Sequence, residues 1–176
     1  MSTIGFDTSN YTTSTAWTDG KTDINVRQIL YVKDGERGIR QSDGVFQHMK
    51  LMPVMYEKLS EQIDFKDVKA VGVSTRPRCV EGSYMPVFLA GEGYAKVVAN
   101  TLGVPLYEFS HQDGHIMAGI YSSGSFELLE NDFISVHLSG GTTEILKSRY
   151  NGFYFDNEII GGSKDISAGQ FIDRVG

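Results

Sequence analysis

Ile134-Ser135-Val136-His137-Leu138-Ser139-Gly140-Gly141-Thr142-Thr143 reads as a strand, a polar turn and the start of a second strand running to Arg149. The same order opens the chain. There Thr3 to Asp7 and Ser14 to Thr18 are short strands around the polar turn Thr8-Ser9-Asn10-Tyr11-Thr12-Thr13. Each run continues into a third strand, Ile24 to Val32 in the first and Gly152 to Ile159 in the second, and then into a helix. Strand-strand-strand-helix written twice points to two lobes of one design.

The first run then adds more. After the loop Lys33 to Gly44, the segment Phe46 to Ile63 places Met49, Met52, Val54, Met55 and Leu59 at mostly helical spacing, with Pro53 expected to bend the helix. Val68 to Ser74 is apolar enough for a strand buried on both faces. Ala90 to Leu102 reads as a helix stopped at Gly103, and Val104 to Glu108 as a strand. The second run ends on the helix Lys164 to Val175. Three strands and one helix leave a sheet face and a sheet edge without partners. The chain is therefore expected to be a fragment of a longer protein, showing apolar surface over its C-terminal part or burying it in a partner.

Bulk composition narrows the function classes. With 176 residues, 40% hydrophobic and 22% charged, the chain can bury a real core. A net charge of -6 argues against holding nucleic acid unaided, so an RNA substrate would need a local basic patch or a basic partner. The single cysteine, Cys79, excludes an internal disulfide and a thiolate metal cluster, and a reducing cytoplasm fits best. Met1-Ser2-Thr3-Ile4-Gly5-Phe6-Asp7 opens without a basic start or a long apolar segment, so neither a signal peptide nor a membrane span is expected.

Two features carry chemistry. His111 and His115 stand four residues apart in Ser110-His111-Gln112-Asp113-Gly114-His115, before the apolar run Ile116 to Ile120. On a helix that spacing points both imidazoles one way, so one divalent metal could take both. Standing alone, the pair would serve equally well to cap and line a helix N-terminus. The second feature is the turn Ser139-Gly140-Gly141-Thr142. Its adjacent glycines permit positive φ and let a ligand approach main-chain N–H groups, although the same glycines suit a plain tight hairpin. Two such turns, one per lobe, can clamp one nucleotide.

These residues resemble the tRNA threonylcarbamoyladenosine synthases, the TsaD family, formerly called O-sialoglycoprotein endopeptidases or glycoproteases. Gly5-Phe6-Asp7-Thr8-Ser9 is similar to that family's Gly-Ile-Glu-Thr-Ser. Ser110 to His115 resembles its Asn-His-Leu-Glu-Gly-His, and Leu138 to Thr143 its Val-Ser-Gly-Gly-His-Thr. Asp165-Ile166-Ser167-Ala168-Gly169-Gln170-Phe171-Ile172-Asp173 is similar, with small shifts, to Asp-Asp-Ala-Ala-Gly-Glu-Ala-Phe-Asp. The resemblance implies an α/β protein of the actin-like ATPase and sugar-kinase (ribonuclease H-like) fold. Residues 1–108 would form one complete lobe, and residues 109–176 an interlobe helix and the beginning of a second.

It also implies a site. His111 and His115 would hold one divalent metal ion of the Fe or Zn class, and the family's remaining ligand is an aspartate near its C-terminus. Leu138, Ser139, Gly140, Gly141 and Thr142 would hold the nucleotide part of an acyl-adenylate, with Asp173 hydrogen-bonding the ligand. Asp7 is the candidate catalytic residue, acting through water or from behind the metal ligands; as a residue type it is nearly as apt to form an Asx turn. The implied reaction is metal-dependent transfer of a threonylcarbamoyl group from its adenylate to the amino group of a tRNA adenosine. The implied partners are tRNA brought by partner subunits and a related family subunit or second copy, with no membrane.

Departures fall where the chemistry would be. The family's Cys-Asp-Glu is Asn10-Tyr11-Thr12 here, Thr142 replaces its histidine, and its Gly-Pro-Gly-Leu is Arg76-Pro77-Arg78-Cys79. They suggest a divergent member, and the lost carboxylates keep open a non-catalytic dimerising partner. A nucleotide-binding phosphotransferase of the same fold is the other alternative, though no acidic base beside a hydroxyl pocket supports it. Proteolysis ranks low. A His-Glu-x-x-His zinc protease needs a glutamate where this chain has Gln112, and Asp113 points about 100 degrees away on a helix.

Overall fold

The computed structural model describes the chain apart from Asp34, Glu36, Arg37, Ser139, Gly140, Gly176 and the side chain of Asp173. It forms two compact units, Met1–Gly114 and His115–Gly176.

The first unit is built on a five-stranded sheet in the order β3-β2-β1-β4-β5. Strand β1 (Ser2–Asp7) pairs antiparallel with β2 (Thr12–Thr18), which pairs antiparallel with β3 (Asp23–Ile29). On its other side β1 runs parallel to β4 (Val68–Arg76), and β4 parallel to β5 (Leu106–Ser110). Alternation along β1 sends Ile4 and Phe6 to one face, where they meet Val71 and Val73 of β4. Helices α1 (Gln41–Ser60) and α2 (Phe88–Leu102) close that core with Met52, Leu59, Ala95 and Ala99. Gly103 ends α2 with φ 66°, the left-handed cap that its sequence position announces.

α1 differs from its sequence reading in two respects. It starts at Gln41, inside the expected loop, because Gly44 is not a breaker: a Cβ there would lie 2.9 Å from Val87 Cγ1, so glycine is the residue that lets helix and chain approach. The buried stripe is Gly44, His48, Met52, Met55 and Leu59, while Met49 and Val54 face solvent. A histidine occupies a core place that apolar spacing alone gave to its neighbour.

The second unit is a three-stranded antiparallel sheet, β6 (Phe133–Leu138), β7 (Thr143–Tyr150) and β8 (Phe155–Gly162), followed by α4 (Ala168–Val175). Its small core gathers Leu146 and Phe155, with Phe133 edge-on to Phe155 at 6.0 Å and Tyr150 at 5.2 Å. Beside it a polar ladder crosses the strands, from Ser135 Oγ to Ser148 Oγ (2.8 Å) to Asn157 Oδ1 (2.7 Å). Ile134, Val136 and Leu138, which alternate with these inward residues along β6, are 57–60% exposed. That is the apolar C-terminal surface expected from the sparse second run.

The element order and sheet topology are those of the actin-like, ribonuclease H-like α/β class. Among the described residues no helix is long and apolar enough to cross a membrane.

Candidate functional site

Parallel strands expose their unpaired main chain and following loops at their carboxyl ends, where ligands of open α/β sheets bind. In the first unit that edge collects Asp7 at the end of β1, Arg76 at the end of β4, and Ser110 at the end of β5. Helix α3 (His111–Ser123) begins on the next residue.

Ser110 starts the helix in a reciprocal cap. Its Oγ accepts from the Asp113 N–H at 3.0 Å, while the Asp113 carboxylate accepts from both the Ser110 N–H (3.1 Å) and Oγ–H (2.6 Å). The Gln112 N–H bonds Pro77 O at 3.0 Å, tying the helix to the loop after β4. Asp113 is buried in this cap, so the carboxylate two residues after His111 has a structural task. That agrees with the low rank of proteolysis.

The sequence reading and the structure meet at Asp7. One carboxylate oxygen accepts from the Ser9 N–H at 2.8 Å, closing the Asx turn; the other lies 2.8 Å from His111 Nδ1. The Asx turn is thus formed, and the same carboxylate also holds the His111 ring. Burial pushes the Asp7 carboxyl up, but the hydrogen bond and positive field of His111, with further bonds from Ser9 and Ser74, outweigh it and hold its pKa near about 2. The carboxylate is therefore ionised and can only accept, so the hydrogen of this bond sits on His111 Nδ1. The side chains keep 25% and 29% of their surface exposed, so a ligand can reach a pair that is already oriented. The ring of Phe88 at the start of α2 lies 6.2 Å from that of His111, tilted by 54°.

Thr8, next along the turn, is wholly buried; its hydroxyl donates to Val87 O (2.9 Å) and accepts from the Gly91 N–H (3.1 Å). The turn is locked to the start of α2 by that one side chain. Sequence reading passed over Thr8, although a buried hydroxyl following a strand could have signalled it.

α3 carries His115 one turn beyond His111, and His115 is the first residue of the second unit. Within that unit its ring lies 6.0 Å from that of His137 on β6. Of the expected nucleotide-holding turn, Leu138 is the exposed end of β6, and Gly141 and Thr142 lead into β7. Ser139 and Gly140 lie outside the described residues, as does the side chain of Asp173, whose backbone is in α4. The neighbouring Thr143, absent from the expected set, holds the start of α4 by accepting from the Ala168 N–H at 2.7 Å.

A metal's fit is judged by its donors. A carboxylate behind Nδ1 is the arrangement that orients a metal-binding imidazole, and Asp7 and His111 supply it. Two imidazoles at helical spacing suit Fe or Zn equally. Among the described residues there is no cluster of three or more His, Cys, Asp or Glu side chains for a metal.

A family model described as TsaD, tRNA N6-adenosine threonylcarbamoyltransferase, matches residues 36–176. The chain belongs to the TsaD family. It is 32% identical over 125 residues to a tRNA N6-adenosine threonylcarbamoyltransferase of Christiangramia forsetii, covering 70% of this chain and 34% of that protein. A protein of the same name from Moorella thermoacetica is 34% identical over 130 residues, 73% of this chain and 35% of the relative. One from Pyrobaculum calidifontis is 28% identical over 172 residues, 97% of this chain and 47% of the relative. The chain thus spans between a third and a half of these curated TsaD relatives. In fold it is similar to YeaZ from Pseudomonas aeruginosa, with a TM-score of 0.53 over 93% of this chain and 66% of that one at 11% identity.

Proposed function

We propose that this TsaD-family chain takes part in transferring a threonylcarbamoyl group from its adenylate to the amino group of a tRNA adenosine. In this reading residues 1–108 are one lobe, and residues 109–176 the interlobe helix and the beginning of a second. The observation that carries it is the Asp7–His111 bond, which sets the tautomer a metal ligand needs at the carboxyl edge of the parallel strands. The curated relatives' shared name supplies the reaction class.

His111 and His115 would hold one divalent ion of the Fe or Zn class, with ligands from outside this chain completing the set. When bound, the metal supplies a Lewis acid and a template for the acyl group. Asp7 keeps the His111 ring in register with Nδ1 as the donor, which leaves Nε2 as the nitrogen a metal would take. Leu138, Ser139, Gly140, Gly141 and Thr142 are assigned to the nucleotide part of the adenylate, and Asp173 to hydrogen-bonding the ligand. The adenine amino nitrogen attacks the carbamoyl carbonyl and AMP leaves. Because the chain is acidic, tRNA would arrive on partner subunits, and a related family subunit or a second copy is the expected partner in the cytoplasm.

Metal analysis of the purified chain and its His111→Ala variant tests the reading. Metal in the parent and a loss in the variant support it; equal content in both removes the site.

A further inference from the structure

Strand register sets one hydroxyl beside the Asp7 carboxylate. β1 and β4 run parallel, with Gly5 beside Gly72 and Phe6 beside Val73. Phe6 and Val73 both enter the core, so the residues that follow them, Asp7 and Ser74, come side by side on the opposite face. The preceding positions on that face are the two glycines, which offer no side chain to compete for the carboxylate.

Ser74 is also the last residue of β4 before its pairing with β5 shifts. It stands opposite Phe109, and the next pair is Arg76 with Ser110, which leaves Thr75 as the extra residue of a bulge. The Thr75 hydroxyl fills that bulge by donating to Phe109 O at a long 3.5 Å. Bulges are common next to active sites, where they re-aim side chains. The Phe109 ring lies over the same face, 3.7 Å from where a Cβ on Gly72 would sit, and Ser74 is buried.

Its hydroxyl donates to the Asp7 carboxylate. That group then receives three hydrogens, from the Ser9 N–H at Oδ1, from His111 Nδ1 at Oδ2, and from Ser74. Held by the Ser9 N–H alone, the carboxylate could turn about its Cβ–Cγ bond and carry Oδ2 off the imidazole. A donor from the neighbouring strand removes that freedom. β4 is hydrogen-bonded on both sides, so the Ser74 hydroxyl has no turn or helix end to cap.

We propose that Ser74 is a positioning residue: its hydroxyl fixes the Asp7 carboxylate in the orientation that holds the His111 ring and, on the metal reading above, readies that ring as a ligand.

Long-range proton–nitrogen NMR of the imidazoles tests it in the metal-free full chain, with the His111 signal assigned by its loss in His111→Ala. Zinc affinity is measured alongside by chelator competition, and far-UV circular dichroism checks the fold. In Ser74→Ala the His111 Nδ1–H signal should broaden through faster exchange with solvent, and zinc should bind about three- to tenfold more weakly, the worth of one hydrogen bond. Ser74→Thr keeps the hydroxyl and should restore both. Should the alanine variant not fold, Ser74→Cys, a weak donor of similar size, takes its place. An unchanged His111 signal in Ser74→Ala would overturn the proposal, as would a loss that Ser74→Thr does not restore. A broadened signal without zinc binding by the parent would uphold the positioning role and reject the metal reading. A broadened signal with equal zinc affinity would uphold the hold on the ring and reject its link to the metal.

Discussion

Acid should loosen the first unit through one side chain, His48. It is wholly buried in the α1 stripe, with Nδ1 2.8 Å from Thr13 Oγ1 and no partner for Nε2 among the described residues. Burial pushes its pKa down from 6.5 to about 4, against the opposing pull of Asp7. The folded state thus prefers a neutral ring that the unfolded chain would protonate. Between those two values the unfolded state binds more protons, so stability is full above 6.5, falls as pH drops, and levels off below about 4. At 1.36 kcal/mol per unit, that span amounts to about 3 kcal/mol. Trp17, the only tryptophan, lies on β2 in the same unit and reports its unfolding. Urea titrations followed by its fluorescence, at about pH 7.5 and about pH 4.5, should show the parent losing about 2–3 kcal/mol more than His48→Gln, which keeps a polar partner for Thr13 but takes no proton. An equal loss in both proteins would refute the reasoning.

Other substitutions probe single contacts. Gly91→Ala places a Cβ 2.8 Å from Thr8 Oγ1 and should cost about 1–3 kcal/mol, less when Thr8 is also alanine; additive losses in the double-mutant cycle would contradict the contact. Ser110→Ala removes a cap and a partner of the buried Asp113, and should lower stability by about 1–3 kcal/mol by denaturant titration. Gly103→Ala, at φ 66°, should cost about 1 kcal/mol, and a neutral result would mean that α2 does not end in a left-handed cap.

The fold was legible because its signals are periodic and local. Alternation in β1 and β6, the apolar run of β4 and the glycine stop after α2 each follow from one segment's own chemistry. What escaped depends on a distant neighbour. Gly44 reads as the end of a loop until Val87 is set against it, and His48 has no place in the apolar spacing until Thr13 is set beside it. At the site, Asp7 and His111 were separately visible, but their bond joins residues 104 apart in the chain, and only strand order brings β1 within reach of α3. Thr8 and Thr143 escaped for a related reason. Each matters through what it holds in space, and a hydroxyl in a turn carries no pattern of its own.

The claim on which the rest depends is that Asp7 prepares His111 for a metal. Zinc affinity measured by competition with a chromophoric chelator, in the parent and Asp7→Asn, addresses it most directly. Replacing the ionised carboxylate by an amide removes the charge behind Nδ1, and the affinity should fall about 10–100-fold with the fold intact. Equal zinc affinity in the two proteins would contradict it.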